Sequence, residues 1–339
     1  REVIGIEATT DGNKTVTFRA RKGVIFATGG FTANPELCLN YLRGPIFGGC
    51  AAATNQGDFV YIGQAIGAQL ANMSNAWWGP CILEHALASR TVPMAYFSTQ
   101  GDSMIQVNCE GKRCGDEKRY YNDRTQVHFY FDPNRTRYPN LVQVMIYDER
   151  CREKFGVDDT NGAMPKPGSK SPVVMTADTL EDLAKVVDAR LAEIAGKTGN
   201  FRLDPDFTDN LKDAVTRFNG FANAGVDRDF HRGATTPLDP KAEKPNATMY
   251  PISPTGPYYA VLIGGGTLDT KGGPKINAHG QVLDTENKPI PGLYGAGNCI
   301  ASPSGQGYFS AGATLGYAIA YGGIAAKHAI AQKVRPVSS

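Results

Sequence analysis

"PGLYGAGNCIASPSGQGYFSAGATLGYAIAYGGIAA", residues 291–326, carries nine of the chain's 39 glycines in 36 residues. Glycine loses more conformational freedom on folding than other residues, so an ordered run uses it where the backbone turns unusually or lies close to something. "GLYGAG" reads as a short apolar strand ending in small residues, and "GATLGYAIAYGG" opens a helix. A strand, a small-residue turn and a helix start leave backbone N–H groups aimed at whatever sits there, and the helix dipole favours negative charge at that point. Tight packing of a helix on a sheet would use the same glycines, so the run alone leaves both readings open.

Outward from this run, the chain opens with "VIGIEA" and "TVTFRA" joined by "TTDGNK", an alternating pattern that predicts a β-hairpin. "GVIFATGG" follows as an apolar strand expected to be buried on both faces. A helix is predicted at 57–68. Two more are predicted in "TADTLEDLAKVVDARLAEIAG" and "DPDFTDNLKDAVTRFNGFANAG", with Thr179 and either Asp204 or Asp206 as N-caps. "LVQVMIYDE" reads as a strand and "SMIQVNCEGKRCGDE" as hairpin-like. Residues 233–252 form a Pro-rich polar connector, and strands are predicted in "YYAVLIGGG", "GQVLD" and "GLYGAG". The two ends share a style that the middle lacks, which predicts one domain interrupted by another.

The 339 residues suffice for two cores. Lys and Arg number 35 against 33 Asp and Glu, a net charge of +2. These charges are scattered, so neither nucleic acid nor an anionic membrane is an expected partner. The seven cysteines, Cys38, Cys50, Cys81, Cys109, Cys114, Cys151 and Cys299, form no CxxC pair, which fits reduced thiols in a cytoplasmic protein. The five histidines lack ligand spacing, so no metal is expected. The apolar run 311–326 is too short and glycine-broken to span a membrane, and a buried helix is expected there. Arg1 opens the chain on an interior hairpin with neither Met nor signal peptide, and the chain is expected to be a fragment.

In order, "KGVIFATGGFTANPE", "TNQGDFVYIGQAIGAQL", "NCEGKRCGDEKRYY", "GGGTLDTKGGPKINAHGQVLDTENKPIPGLYGAGN" and "GYFSAGATLGYAIAYGGIAA" resemble the fumarate reductase/succinate dehydrogenase flavoprotein superfamily, in its 3-oxosteroid dehydrogenase branch. The likeness runs over nearly the whole chain, apart from a G-x-G-x-x-G turn that this sequence does not contain. It implies an α/β, Rossmann-like FAD-binding domain (1–76 and 253–339) with an inserted α+β substrate-capping domain (77–252). It also implies FAD as cofactor, with Ala27, Thr28, Gly29, Gly30, Gly297, Asn298, Thr314 and Leu315 facing it.

Dicarboxylate-handling members of that superfamily grip their substrate with an arginine in the loop before the last helix and a histidine upstream. Neither stands in "SPSGQGYFSAGATLG" or "AVLIGGGTLDTKGG", and bidentate guanidinium–carboxylate pairing is hard to replace. Tyr308, Phe309 and Ser310 suit a neutral, carbonyl-bearing, largely apolar small molecule instead. The resemblance implies that Tyr308 and the backbone of Gly312 polarise the ketone. Ser310 matches a Y-x-S pattern associated with chemistry beside C4 and C5, and departs from the Y-P-G of 1,2-desaturating members. Tyr121, four residues after Glu117, matches a second tyrosine from the capping domain. A flavin-dependent reductase of small unsaturated acids and a catalytically inactive flavoprotein chain are the alternatives. Trp77 and Trp78 are expected to pack, Arg119 and Arg124 to be solvated or structurally paired, and the charges of "GVDRDFHRG" to be structural.

Overall fold

The opening alternation folds as expected in the computed structural model, which describes residues 2–92, 94–235, 238, 241 and 243–334. Gly5–Thr10 pairs antiparallel with Lys14–Arg19. The turn holds Gly12 and Asn13 at φ 83° and 60°, the left-handed region that these two residue types tolerate best.

Two compact units follow from the contacts: Arg1–Arg43 with Ala51–Trp77 and Leu268–Ser339, and Gly44–Cys50 with Trp78–Thr267. In the first, Gln281–Leu283, Pro289–Gly295 and Val24–Phe26 form a three-stranded sheet in that order. Val24–Phe26 runs parallel to Pro289–Gly295, with Phe26 opposite Gly295. Both strands therefore end at one level, and Ala296 N donates to Phe26 O at 2.9 Å just beyond them. Phe59 of the helix Asp58–Ala65 packs with Val282, Ile290, Leu293 and Ile300 beneath this sheet.

Two expectations change here. The 24–26 strand is half-buried rather than covered on both faces, because it is a sheet edge that pairs on one side only among the described residues. The final helix, Ala313–Ala331, buries only Ala325 and Ala329, while Leu315 and Ile319 are 68% and 76% exposed. Its apolar composition is real, but the described residues cover little of it.

The second unit is built on a five-stranded antiparallel sheet. Met175–Ala177, Tyr258–Gly264, Val142–Asp148 and Met104–Val107 lie in that order, and Cys81–Ile82 pairs with the end of Tyr258–Gly264. Every residue of Val142–Asp148 and Tyr258–Gly264 is buried. The helices Leu180–Glu193 and Phe207–Ala224 pack on the sheet with Leu183, Val187, Leu191, Leu211 and Phe218. Thr179 caps the first, accepting from Asp182 N. Asp206 precedes the second, without a side-chain cap bond. The hairpin-like 103–117 stretch yields one strand and an isolated bridge between Val107 and Arg113.

Tyr258–Gly264 belongs to this sheet and not to the first unit, so the second join falls at 267/268 rather than 252/253. An apolar run without alternation needs cover on both faces, and the middle of the chain supplies it. The connector at 233–252 lies partly outside the described residues, at 236, 237, 239, 240 and 242.

Candidate functional site

In the first unit, the parallel strands Val24–Phe26 and Pro289–Gly295 deliver residues 27–30 and 296–298 side by side at their carboxyl ends. Ligands of open α/β sheets bind at such an edge. Ala27 and Thr28 are exposed there, Gly29 is half-buried at φ 74°, and Gly30 is buried. Gly297 also has a positive φ, 74°, and an added Cβ would lie 3.6 Å from Ala318 of the final helix, so that helix passes close by.

The carboxylate of Asp269 organises this edge. It accepts from Gly30 N (2.9 Å), Thr32 Oγ1 (3.1 Å), Asn55 Nδ2 (2.8 Å), Asn298 Nδ2 (3.1 Å) and its neighbour Thr270 N (2.8 Å). Burial is the strongest influence on its pKa and outweighs these donors, which pull the other way, so the carboxyl titrates above its ordinary value. Asn298, expected to face a ligand with its amide, instead spans Asp269 and Trp77. Its Oδ1 accepts from Trp77 Nε1 at 3.0 Å.

Tyr308 lies in the loop before the final helix, half-buried, with its ring edge-to-face on Trp77 (centroids 6.1 Å apart, planes at 73°). Phe309 is exposed and Tyr317 lies beside both Trp77 and Phe309. Ser310 is exposed, its hydroxyl donating to Ala311 O at 3.2 Å. Gly312 is the N-cap of the helix at φ 85°, with no side-chain cap and open space where a Cβ would sit. Thr314 and Leu315 follow in the first turn, which holds no acidic residue. Tyr308, Ser310, Gly312, Thr314 and Leu315 therefore share one short segment of the first unit. Tyr121 belongs to the second.

Lys271 is the residue the sequence reading missed. It is fully buried, and its Nζ donates to Ser304 Oγ (3.2 Å), Gly305 O (3.3 Å) and Gly307 O (2.6 Å). The same Nζ sits 4.0 Å from the centroid of the Trp77 ring. Burial pulls its pKa down to about 8.

In the second unit, Tyr121 opens the short helix Tyr121–Thr125, its ring 4.8 Å from that of Phe97. Burial, then Cys50, raises its phenol pKa. Upstream of this helix, Glu117 sits in a buried ion-pair cluster. Arg113 holds Glu117 through two bonds (2.7 and 2.8 Å) and Asp227 at 2.8 Å, while Arg232 reaches Glu117 at 3.4 Å. Asp227 and Arg232 of "GVDRDFHRG" are thus structural, as expected, and Arg119 pairs with Asp123 on the surface. Arg124 differs from its expectation. It is buried and donates to the carbonyls of Arg119 and Tyr96, with no acid paired to it among the described residues, and burial lowers its pKa to about 10.

Trp78 is buried, with its N–H on Asn122 Oδ1 at 3.1 Å and its ring against Phe129, and all seven cysteines are free thiols. No group of three metal-ligating side chains, and no helix long and apolar enough to cross a membrane, is found among the described residues.

Residues 1–315 match the model of the FAD binding domain family. Among curated proteins, the chain is 34% identical to the 3-oxosteroid 1-dehydrogenase of Mycobacterium tuberculosis over 91% of its own length and 53% of that protein's. It is 33% identical to the 4-oxocyclohexanecarboxylate 2-dehydrogenase of Sinomonas cyclohexanicum, over 91% and 51%. The chain thus spans about half the length of the curated relatives it matches. Its fold superposes on the crystal structure of 3-ketosteroid delta1-dehydrogenase from Sterolibacterium denitrificans in complex with 1,4-androstadiene-3,17-dione. The TM-score is 0.81 at 28% identity, over 98% of this chain and 57% of that one. The chain belongs to the FAD-binding flavoprotein family that includes the 3-oxosteroid dehydrogenases.

Proposed function

We propose that this chain is part of a flavin-dependent oxidoreductase acting on the CH–CH bond beside the ketone of a largely apolar, steroid-like substrate. One observation carries the reading. A half-buried tyrosine, Tyr308, is set on an aromatic wall of Trp77 and Tyr317, four residues before the uncapped N-terminus of a 19-residue helix, in a loop without a cation. Hydroxyl and backbone N–H donors beside apolar rings match a neutral carbonyl on an apolar frame, not two carboxylates.

The residues present fit FAD. The strand ends offer uncovered backbone at 27–29, Gly312 leaves open space, and the first helical turn presents N–H donors and the Thr314 hydroxyl with no acidic side chain. Ala27, Thr28, Gly29 and Gly30 would line the cofactor on one side, Gly297 and Asn298 on the other, and Thr314 and Leu315 at the helix start. Asn298 would act through its backbone, since its amide already serves Trp77 and Asp269. FAD, when bound, supplies the acceptor for the hydride.

The remaining chemistry falls to the chain's own groups. Tyr308 and Gly312 N–H polarise the ketone, which acidifies the adjacent C–H. A tyrosine hydroxyl takes that proton with Ser310 as relay, and hydride leaves the next carbon as the C=C bond forms. A tyrosine with pKa near 10 needs positive potential to act as a base near neutral pH.

The Y-x-S pattern pointed towards chemistry beside C4 and C5, whereas the relatives named above are a 1-dehydrogenase and a delta1-dehydrogenase. Their names favour the 1,2 position for this chain. A smaller ring ketone bearing a carboxylate is a second reading, favoured by the 4-oxocyclohexanecarboxylate relative.

The test is anaerobic mixing of the full-length flavoprotein with 4-androstene-3,17-dione, 4-oxocyclohexanecarboxylate or succinate. Bleaching of flavin absorbance by the steroid supports the first reading, and bleaching by the small oxo-acid alone supports the second. Bleaching by succinate alone, or by none of the three, overturns both.

A further inference from the structure

Lys271 is a buried cation with no acid paired to it among the described residues. Burying an ammonium is costly unless the fold provides compensation, and here two backbone carbonyls, one hydroxyl and one aromatic face provide it. All of them belong to the segment that carries Tyr308, or to the ring on which Tyr308 rests. The Gly307 carbonyl that Lys271 grips at 2.6 Å is half of the Gly307–Tyr308 peptide, and Trp77, 4.0 Å from the ammonium, meets the Tyr308 ring edge-to-face.

Both platforms are themselves fixed. Lys271 N donates to Asn75 O and Ser302 N donates to Lys271 O, each at 2.9 Å. Trp77 is held by Asn298, which Asp269 holds in turn. Tyr308 and Tyr317 both pack on the Trp77 ring that the ammonium faces, and the two oxygens of Asp269 are occupied by the donors described above.

We propose that Lys271 is a positioning residue for Tyr308. It fixes the peptide and the ring that aim the phenol, and it lends that phenol an uncompensated positive charge. The inference rests on the reading of Tyr308 as the group that polarises the ketone. A nearby cation stabilises a phenol's charged form and strengthens it as a hydrogen-bond donor. The ammonium adds positive potential on the side of the phenol that polarises the ketone. With its pKa at about 8, Lys271 is charged at neutral pH.

The test compares the parent full-length flavoprotein with Lys271→Met, Lys271→Gln, Tyr308→Phe and the Lys271→Gln/Tyr308→Phe double variant. Gln keeps a donor for the Gly307 carbonyl without the charge, and guards against a Met variant that fails to fold. Steady-state turnover of 4-androstene-3,17-dione is measured, together with the phenol titration of Tyr308. That titration is read as the 295 nm tyrosinate difference against the corresponding Phe variant, in protein that is not turning over.

The expected result for Lys271→Gln is a kcat loss of about tenfold, KM within about threefold, and a Tyr308 titration shifted to higher pH. The Lys271 effect should vanish once Tyr308 is Phe. Losses that multiply in the double variant, or an unshifted phenol, overturn the proposal while leaving the role of Tyr308 standing. Parent-like turnover in Tyr308→Phe removes the underlying reading, and this proposal with it.

Discussion

Two helices of nearly equal length separate what packs from what serves a ligand. Phe207–Ala224 spaces Phe207, Leu211, Val215, Phe218 and Ala222 along one buried stripe and sets Asp209, Lys212, Asp213 and Arg217 elsewhere. Ala313–Ala331 has no charged residue before Lys327, and it leaves Leu315, Ile319 and Ile330 exposed. The first helix is completed by its own unit, because its apolar stripe is as wide as the surface it covers. The second has an apolar surface that packing within the described residues does not use, and its Ala318 lies close to Gly297 at the strand end. Composition alone would rank the second helix as the better buried; the structure reverses that order.

Three substitutions test this contrast. Phe218 is fully buried, with Arg113 and Arg232 over its ring at 5.3 and 5.1 Å. Phe218→Ala should lower the stability of the protein by about 4 kcal/mol, from lost burial, a cavity and lost cation–π contact. Denaturant unfolding checks it, and a loss under about 1 kcal/mol would mean the stripe is not what holds that helix. Ser310→Ala should leave stability unchanged and lower kcat about tenfold, since water partly replaces a relaying hydroxyl. Steady-state kinetics with the steroid decide this. Ile319→Ser should change stability by no more than about 0.5 kcal/mol, as expected for a site 76% exposed. A drop of several degrees in Tm would show that this face is packed after all.

The hairpin and the two amphipathic helices were legible because their signals are local: period two around "TTDGNK", period 3.6 behind Thr179 and Asp206. Glu117 was legible only as the residue four before Tyr121, and its i,i+4 pairing with Arg113 emerged from the structure. The second unit's edge was not legible, because strand pairing and not pattern assigns Tyr258–Gly264 to Val142–Asp148. Asp269 and Lys271 escaped for the same reason. Asp269 finds Gly30 across 239 residues of sequence and Lys271 finds Gly307 across 36. The one signal available was two opposite charges in "TLDTKGG", between an apolar strand and a Gly-Gly pair, where solvated charges are out of place.

The proposed chemistry turns on Tyr308, and its most direct measurement is kcat of Tyr308→Phe in the full-length flavoprotein with its flavin content read from the same sample. Removing one donor to a developing oxyanion costs about 10²–10³-fold in turnover. A loss of that size is expected with flavin content unchanged, because Phe keeps the ring contact with Trp77 and removes only the hydroxyl. Turnover within about threefold of the parent would contradict it and place the chemistry on other residues.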